Sequence, residues 1–570
     1  MKYDNKRQLM TSKLSKEIDQ SKIQAFEGMD IPWLLNEWVT RTPEKHFMIW
    51  EPFNGEPEAW SYLRFQSESR WVAASLSAHG VTAGDFVLIH LDNSPEFMLS
   101  WFACAELGAV AVSTNTHSVA RDMRYFSDHT RAACVITQPS YANMVKAACS
   151  PLPLLVVTDN NAGNYGDGSI DQNFKETVDL DQNPKEIVDP ETDESTSKSE
   201  HTRIINFCEL LAGDEEKLQS RLHDSMADLS VQYTSGTTSR PKAVLWTHAN
   251  GLWGAKTCAS HMRLTHDDRT LIFMPMFHTN AQTYSMLATL WVGGTFILQP
   301  KFSASRFWPL SLKYKLTWLS TIPFAFKAIS TQAVPAHFYR FWGTGAFIPA
   351  VADHFKVSII GWWGMTETLT HGIVTDLDHP GPAGTIGRAA PEYDIEIRTE
   401  TGELSKAGES GLLFIRGVRG VSLFKEYYRN EEANASAFDE HGWFNTGDII
   451  RRDEQGFLYF SDRDKDMLKV GAENVAASEI ESVVMQTGWV DECAVVAQKH
   501  YMLDEVPVVF VIPSTIAPEN INHAILQYCE DNLAHFKVPK NVFVVDSLPR
   551  STLEKIAKNE LRKRLPKITE

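Results

Sequence analysis

Hydroxyl and basic side chains are concentrated in one short segment of the chain, residues 234–242, whose sequence is TSGTTSRPK. Apolar residues precede it at 229–233 and follow it at 243–246, so we expect a strand, a loop and a second strand. Many donors, a glycine that admits close approach and two cations suit the oxygens of a triphosphate. The segment lacks the GxxxxGK pattern of P-loop NTPases and does not predict that chemistry. By composition alone, an exposed Ser/Thr-rich hairpin loop fits equally well.

Four later segments also carry residues able to do chemistry. The carboxylate of Glu367 could keep a hard cation such as Mg²⁺ in an oxygen shell. Each of these residues also has a purely structural interpretation. Glu367 could be an exposed residue at the start of a helix, and the highly charged segment 462–469 could be a solvated turn. His278 lies beside apolar residues, where a histidine is often simply packed in the core. The segments are 343–346 (GTGA), 361–367 (GWWGMTE), 445–448 (NTGD) and 462–469 (DRDKDMLK).

Short apolar runs that alternate with helix-like windows indicate the elements that position these residues. The runs at 86–91 and 109–113 predict buried strands, and residues 97–107 have the apolar spacing of a helix. This alternation is typical of an α/β fold with substantial parallel sheet. After residue 462, a helix, two strands, a second helix, a strand and a terminal helix predict a separate α+β unit of ordinary domain size.

Composition argues against several classes of function. The net charge of −18 over 570 residues disfavours a nucleic-acid-binding protein, which needs a basic face. No run approaches the roughly 18 apolar residues of a membrane-spanning helix, and the polar N-terminus lacks the apolar core of a signal peptide. Seven cysteines without metal-binding spacing fit free thiols in a reducing compartment, so we expect a cytoplasmic protein. A monomer and a homodimer fit equally well.

Residues 160–200 differ from the rest of the chain because they are polar, acidic and nearly free of aromatic residues. Within them DQNFKETVDL is followed at once by DQNPKEIVDP, which indicates a short tandem duplication. Such a segment cannot bury enough apolar area to order itself. We therefore expect a disordered-like surface insertion without a catalytic role.

The string YTSGTTSRPKAV resembles the signature loop of the adenylate-forming (ANL) superfamily of acyl-CoA synthetases, luciferases and adenylation domains. Its SRPK ending is similar in style to the carnitine and crotonobetaine CoA ligases, since the commoner form has glycine in place of Ser239. The resemblance spans roughly residues 31–565. It implies a large N-terminal α/β domain (1–461), with mixed sheets and flanking helices like those of acetyl-CoA synthetase. It also implies a small, mobile α+β C-terminal lid domain (462–570).

The resemblance also implies a role for each matching residue. Trp363 would stack on adenine, Asp448 would bind the ribose, and Gly471 would leave room for the pantetheine of coenzyme A. Glu367 would hold Mg²⁺, and Lys465 would be the interdomain hinge. The residues implied to bind ATP or coenzyme A are Thr234, Ser235, Gly236, Thr237, Thr238, Lys242, Gly345, Ala346, Trp363, Asp448, Arg463, Lys469 and Gly471. The implied catalytic residues are Lys555, His278, Thr366 and Glu367.

The implied reaction is that of an AMP-forming carboxylate–CoA ligase. A carboxylic acid and ATP give acyl-AMP and pyrophosphate, and coenzyme A then takes the acyl group and releases AMP. The family usually has glycine before the adenylation lysine, whereas Glu554 precedes Lys555 here. This difference leaves open a catalytically impaired relative that acts as a binding protein. The same motifs also fit a stand-alone enzyme that loads a carrier protein and a luciferase-like oxygenase.

Three features of the sequence bear on the identity of the acid. Gly364 occupies a place where acetate-specific relatives carry Trp, so we expect an acid larger than acetate. The string at 277–280 (FHTN) lacks the Asp that would bind the ammonium of an amino acid. Aromatic faces suit a quaternary ammonium, as in carnitine- or betaine-like acids, but medium-chain and aryl acids fit equally well. The predicted substrate pocket consists of Phe277, Trp318, Trp342, Trp362 and Gly364.

Overall fold

The structure is a computed structural model that describes residues 25–162, 202–234, 241–399, 401–463, 467–471, 473–549, 556 and 558–565. The predicted insertion at 160–200 therefore lies almost wholly outside the described residues. The side chain of Arg463 lies outside the description as well, although its backbone is described. Six predicted site residues also lie outside it: Ser235, Gly236, Thr237, Thr238, Lys465 and Lys555.

The helices have sequence-encoded ends, as the helix at Pro95–Leu107 shows. Its first turn is capped by Ser94, whose side chain accepts a hydrogen bond from the backbone N–H of Phe97, and Pro95 fits the first helical position. It ends at Gly108, whose φ of 79° favours glycine. The described helices are α1 (Ile31–Arg41), α2 (Tyr62–Ala78), α3 (Pro95–Leu107), α4 (Ala120–Thr130), α5 (Pro139–Ala148), α6 (Phe207–Leu210), α7 (His248–His261), α8 (Ala288–Val292), α9 (Ala304–Lys313), α10 (Pro323–Ile329), α11 (Pro349–Phe355), α12 (Glu431–Ala437), α13 (Ala477–Gln486), α14 (Ile521–Asn532) and α15 (Lys558–Arg564).

The strands predicted from apolar runs are present and buried, with those at 86–91 and 109–113 observed as Phe86–His90 and Val110–Ser113. The described strands are β1 (His46–Trp50), β2 (Glu58–Ser61), β3 (Phe86–His90), β4 (Val110–Ser113), β5 (Cys134–Thr137), β6 (Leu154–Val157), β7 (Arg203–Asn206), β8 (Asp228–Thr234), β9 (Lys242–Thr247), β10 (Arg269–Ile272), β11 (Thr295–Leu298), β12 (Trp318–Ser320), β13 (Phe341–Thr344), β14 (Ser358–Trp363), β15 (Ile373–Val374), β16 (Arg388–Ala389), β17 (Asp394–Arg398), β18 (Ser410–Arg416), β19 (Glu426–Tyr427), β20 (Trp443–Arg452), β21 (Leu458–Arg463), β22 (Met467–Val470), β23 (Glu473–Ala476), β24 (Val490–His500), β25 (Asp504–Pro513) and β26 (Asn541–Val544).

Two large, mainly parallel sheets form the N-terminal part of the described chain. One has the order β19-β9-β8-β4-β3-β5-β6-β7 and is parallel from β8 to β7. The other has the order β16-β15-β14-β13-β12-β10-β11-β1-β2 and is parallel from β14 to β1. The largest apolar cluster joins the two sheets through α1, α2, α3 and α7. Side chains at the carboxyl ends of neighbouring parallel strands are thereby brought to one edge of each sheet.

Two smaller sheets complete the fold. One is antiparallel, in the order β17-β18-β20-β21, and the other pairs β23-β22-β25-β24 with β26 added beside β25. The last sheet and helices α13 and α14 share their own buried core, which includes Val495, Val509 and Ile525. The predicted domain boundary at 461/462 falls near the end of β21. No described helix is both long and apolar enough to cross a membrane.

Candidate active site

The predicted phosphate loop joins two antiparallel strands. Thr234 ends β8 and Lys242 begins β9, and these two residues are paired across the hairpin. Lys242 points its ammonium at the ring of Tyr427, with 4.5 Å between Nζ and the ring centroid. Tyr427 belongs to β19, which pairs with β9. The cation predicted to meet phosphate is thus fixed at the base of the loop.

Glu367, the predicted metal ligand, lies in the same cluster. Its side chain is buried, and Oε1 accepts a 2.8 Å hydrogen bond from the hydroxyl of Tyr427. Burial and then the neighbouring carboxylate raise the pKa of Tyr427 well above its ordinary value, so the phenol stays protonated and keeps donating. Glu367 and Lys242 therefore contact the same side chain, that of Tyr427.

The donor chemistry around Glu367 fits magnesium. No group of three or more His, Cys, Asp or Glu side chains that could hold a metal ion occurs in the described ranges. Mg²⁺ differs from zinc or calcium in that it keeps several waters and is commonly held by one or two carboxylates together with substrate phosphates. One buried carboxylate beside a phosphate loop is sufficient for such a site.

Thr366 is held between the two large sheets by a polar network. Its hydroxyl lies 3.2 Å from that of Thr279, which donates a 3.0 Å hydrogen bond to Gln232 Oε1. Its carbonyl oxygen accepts a 3.0 Å hydrogen bond from the indole Nε1 of Trp246 in β9. The predicted catalytic residue Thr366 is therefore positioned by elements that also carry the phosphate loop.

The backbone just after Thr366 is held in an uncommon conformation. Leu369 has a φ of 64°, in the left-handed region that branched side chains rarely adopt. Its carbonyl oxygen accepts a 2.6 Å hydrogen bond from the hydroxyl of Thr283, which lies in a π-helix at Asn280–Leu287. Strained backbone conformations and π-helical turns are both enriched at functional sites, and they persist only where the surrounding structure holds them in place.

Trp363 and Asp448 form the predicted nucleoside-binding side of the site. Trp363 ends β14, and its Nε1 donates a 2.8 Å hydrogen bond to Oδ2 of Asp448 in β20. Both side chains are buried. Asp448 is paired with Arg463 across the antiparallel sheet, which brings together the backbones of two residues predicted to bind ATP or coenzyme A. The structure thus places an aromatic ring and a carboxylate side by side.

Gly345 and Ala346 lie at the same edge, because β13 ends at Thr344 beside β14. Gly345 is exposed, and a Cβ added there would meet no described atom within 4 Å. Its surroundings are open enough for a flat ring to lie along the backbone.

His278 lies where the two domains meet. Its Nε2 is 3.4 Å from Oε1 of Glu473 in β23, and Oε2 of Glu473 accepts a 3.1 Å hydrogen bond from Asn115. Burial raises the pKa of Glu473, but the charge and hydrogen bond of His278 outweigh it, so the pKa lies below its ordinary value. Glu473 was not among the predicted site residues, because its contact depends on how the C-terminal domain is docked.

Two residues predicted to bind ATP or coenzyme A, Lys469 and Gly471, lie in the hairpin that carries Glu473. Lys469 is exposed, and its backbone N–H donates a 2.8 Å hydrogen bond to Oε2 of Glu505. Gly471 turns the hairpin with a φ of 64°, and its N–H donates a 2.7 Å hydrogen bond to the carbonyl oxygen of Leu503. Because Gly471 is two residues from Glu473, this hairpin faces the N-terminal domain next to His278.

The structure divides the predicted pocket residues between two faces of one sheet. Trp318 and Trp362 share an apolar cluster with Tyr284. Trp342 lies on the opposite face, where it stacks on Phe326 with 5.7 Å between ring centroids. Trp342 is therefore not brought together with Trp362.

The remaining pocket predictions lie close to the π-helix. Phe277 is buried, with its ring centroid 4.6 Å from that of His278. A Cβ added at Gly364 would overlap the hydroxyl of Tyr284, so a side chain at this position would displace the tyrosine. The absence of a side chain at Gly364 makes room for the hydroxyl of Tyr284.

Comparison with known sequences identifies the family. The AMP-binding enzyme family matches residues 35–428, and the AMP-binding enzyme C-terminal domain matches residues 479–555. The chain belongs to the AMP-binding enzyme family. The predicted membership of the adenylate-forming superfamily is confirmed.

Relatives of this AMP-binding enzyme include crotonobetaine/carnitine–CoA ligases. The one from Escherichia coli (strain 536) is 31% identical over 545 residues, which cover 91% of this chain and 96% of that protein. The ligase of the same name from Proteus mirabilis is 31% identical over 538 residues, with the same coverage.

Solved structures of acyl-CoA synthetases share the fold of this AMP-binding enzyme. A double mutant of o-succinylbenzoate CoA synthetase from Bacillus subtilis, bound to a product analogue, matches with a TM-score of 0.75 at 24% identity, covering 93% of this chain and 98% of that chain. A fatty acyl CoA synthetase from Mycobacterium tuberculosis matches with a TM-score of 0.61 at 26% identity, covering 94% and 98%. The predicted fold class, with a large α/β domain and a small C-terminal domain, is confirmed.

Proposed function

We propose that this AMP-binding enzyme is an AMP-forming carboxylate–CoA ligase. It joins a carboxylic acid to the α-phosphate of ATP, releases pyrophosphate, and then transfers the acyl group to the thiol of coenzyme A. The observation that carries the proposal is the clustering of Lys242, Tyr427 and Glu367 at the base of the phosphate loop. A fixed cation beside a carboxylate able to hold Mg²⁺ suits a departing pyrophosphate.

In the first half-reaction one carboxylate oxygen of the acid attacks the α-phosphorus, and pyrophosphate leaves in line. The chain has mainly to position the two substrates and to stabilise charge. Lys242 and the loop at 234–242 hold the leaving phosphates, Thr366 contacts the α-phosphate, and Trp363 with Asp448 holds the nucleoside. Glu367 would hold Mg²⁺, which would supply positive charge against the repulsion between the phosphates and the incoming carboxylate.

Lys555 completes the first half-reaction. We assign it to bridge the acid's carboxylate and the α-phosphate, on the strength of its place in the family's sequence pattern. A lysine ammonium in that position would offset the negative charge of both reacting groups. Glu554 precedes it, so the loop that presents the lysine carries an anion as well.

In the second half-reaction the thiol attacks the acyl carbon, the acyl–oxygen bond breaks, and AMP leaves with that oxygen. The contact between His278 and Glu473 supports a docking of the C-terminal domain in which Gly471 faces the reaction centre. Lys555 and Gly471 both belong to the C-terminal domain, so we propose that the domain rotates about Lys465 between the two half-reactions. The enzyme would then offer a different set of groups to the same carbonyl in each step.

The substrate is an acid larger than acetate, and its acceptor is coenzyme A rather than a carrier protein. The names of the 31%-identical relatives, crotonobetaine/carnitine–CoA ligases, support both parts of this proposal. The requirement for ATP and coenzyme A supports a cytoplasmic location.

The test is an assay of AMP and pyrophosphate release from ATP with a panel of acids, with and without coenzyme A. We expect acid-dependent AMP release that becomes catalytic when coenzyme A is added, together with an acyl-CoA product. Release that requires a carrier protein would favour an enzyme that loads such a carrier. The absence of AMP with every acid, with the protein folded and ATP bound, would support a binding protein.

A further inference from the structure

A buried histidine lies beside the predicted acyl pocket without a hydrogen-bond partner among the described residues. His371 has no exposed surface, and both of its ring nitrogens are unpaired in the part of the chain that the structure describes. Native proteins pair more than about 90% of their buried donors and acceptors, because an unpaired one loses the hydrogen bonds it would make to water. An imidazole with two unpaired nitrogens is therefore a candidate for contact with a ligand.

The ring of His371 is fixed by stacking. It lies on the indole of Trp362, with 4.3 Å between ring centroids and 11° between the ring planes. The ring of Tyr284 meets it edge-on with 4.4 Å between centroids, and the centroid of the His261 ring lies 5.7 Å away. His261 is itself hydrogen-bonded to Glu392 at 3.0 Å. Packing thus holds the imidazole in one place and leaves its nitrogens free to bind.

The position of His371 relative to the reaction centre follows from the π-helix. This helix runs beside residues 364–371, with Thr279 against Thr366 at its start and Tyr284 against His371 farther along. Five residues separate the two contacts, a rise of at most about 7.5 Å, because a π-helix is wound more widely than an α-helix and rises less than 1.5 Å per residue. An acid whose carboxylate attacks the α-phosphate beside Thr366 would reach His371 with a chain of about five bonds.

The chemistry of the ring narrows what it can recognise. Burial, together with the nearby His261, holds the pKa of His371 well below its ordinary value, so the imidazole is neutral at physiological pH. A neutral imidazole has one donor nitrogen and one acceptor nitrogen. A hydroxyl can pair with either, whereas a hydrocarbon chain and a quaternary ammonium can pair with neither. The imidazole also covers one face of Trp362, a face that a quaternary ammonium would otherwise use.

We propose that His371 determines substrate specificity by hydrogen-bonding a hydroxyl group on the acyl chain, about five bonds from the reacting carboxylate. The substrate class is then a hydroxylated aliphatic acid. This proposal rests on the proposed function, since it assumes that the acid's carboxylate is activated at Thr366.

The test compares matched acids that differ by one hydroxyl. Pyrophosphate release is measured for hexanoate, for hydroxyhexanoates with the hydroxyl on successive carbons, and for a trimethylammonium acid of similar length. A site whose buried polar group is left unpaired rejects the analogue that lacks the hydroxyl. We expect the full-length enzyme to favour one hydroxyhexanoate over hexanoate by at least about tenfold in kcat/KM.

Three variants separate recognition from packing. His371→Phe should abolish this preference while keeping activity with hexanoate, and His371→Asn, which retains a donor and an acceptor, should keep part of it. His90→Phe is the control: His90 is an equally buried histidine in the other large sheet, bonded to Thr114. It should leave the preference unchanged. The readout is a ratio of two acids on one enzyme, so a loss of folded protein does not alter it.

The outcomes distinguish this proposal from the one on which it rests. If the wild type activates acids but treats hexanoate and every hydroxyhexanoate alike, or prefers the trimethylammonium acid, the assignment of His371 fails and the ligase function stands. An unchanged preference in His371→Phe also overturns the assignment. If no acid yields AMP, the ligase function fails and the assignment fails with it.

Discussion

The contact between Glu473 and His278 offers a way to separate the two half-reactions. Replacing Glu473 with Gln keeps the shape of the side chain and an oxygen that can accept from Asn115, but it removes the charge that faces His278. The contact joins the C-terminal domain to the N-terminal domain. It therefore forms in one relative orientation of the two domains and is broken when the C-terminal domain rotates. We expect Glu473→Gln to slow thioester formation and to leave adenylation nearly unchanged.

The size of the effect follows from the geometry of the contact. The Nε2–Oε1 distance is 3.4 Å, the Glu473 side chain is 14% exposed, and His278 is 32% exposed. A hydrogen bond to a charged group contributes about 1.5–3 kcal/mol, and the length of this one together with the exposure of His278 places it at the low end. A loss of about 1–2 kcal/mol corresponds to a rate decrease of about 5- to 30-fold.

The assay measures the half-reactions separately. Thioester formation is followed from supplied acyl-AMP and coenzyme A, and adenylation is followed by exchange of labelled pyrophosphate into ATP. Glu519→Gln, which makes the same charge change at an exposed site in the C-terminal domain, is the control and should affect neither. Equal losses in both half-reactions, or full thioester formation in Glu473→Gln, would refute the reasoning.

Four further predictions concern pH, the C-terminal lysine, packing and nucleotide binding. Because the pKa of Glu473 is lowered, its contact is fully present above the ordinary carboxyl value of about 4.3 and is lost as the pH falls through the lowered value. The thioester rate of the wild type should therefore still exceed that of Glu473→Gln at about pH 5. Lys555→Ala should abolish pyrophosphate exchange and leave thioester formation from acyl-AMP intact; equal loss of both would contradict domain rotation. Gly343→Ala should lower the free energy of unfolding by about 1–3 kcal/mol in a denaturant titration, since its Cβ would overlap the indole of Trp362, and an unchanged midpoint would contradict that packing. Asp448→Asn should raise the KM for ATP by about 10- to 100-fold, and an unchanged KM would remove Asp448 from the nucleotide site.

Local sequence determined the parts of the fold and site that depend on neighbours in the chain. The strands beginning at Phe86 and Val110 follow from short apolar runs between turns. The hairpin that pairs Thr234 with Lys242 follows from two apolar runs around a loop too polar to be buried. The residues that match family motifs could be named before any contact was known, because each motif is contiguous.

The remaining features depend on contacts between distant segments. Trp342 and Trp362 were both predicted pocket residues. The pairing register of β13 and β14 determines the face of the sheet on which each side chain lies, and it places the two on opposite faces. Glu473 meets His278 through the docking of a whole domain. His371 lies four residues after the motif that ends at Glu367. The sequence does not indicate that Trp362 and Tyr284 pack against its ring, or that its nitrogens have no hydrogen-bond partner among the described residues.

The most direct measurement of the central claim follows an oxygen atom. The enzyme is incubated with magnesium, ATP, coenzyme A and an acid labelled with oxygen-18 in its carboxylate, and the products are examined by mass spectrometry. If the carboxylate attacks the α-phosphorus, one labelled oxygen must remain on AMP when the thiol displaces it, and pyrophosphate must carry none. Label in inorganic phosphate, or thioester formation with unlabelled AMP, would contradict an acyl-adenylate intermediate.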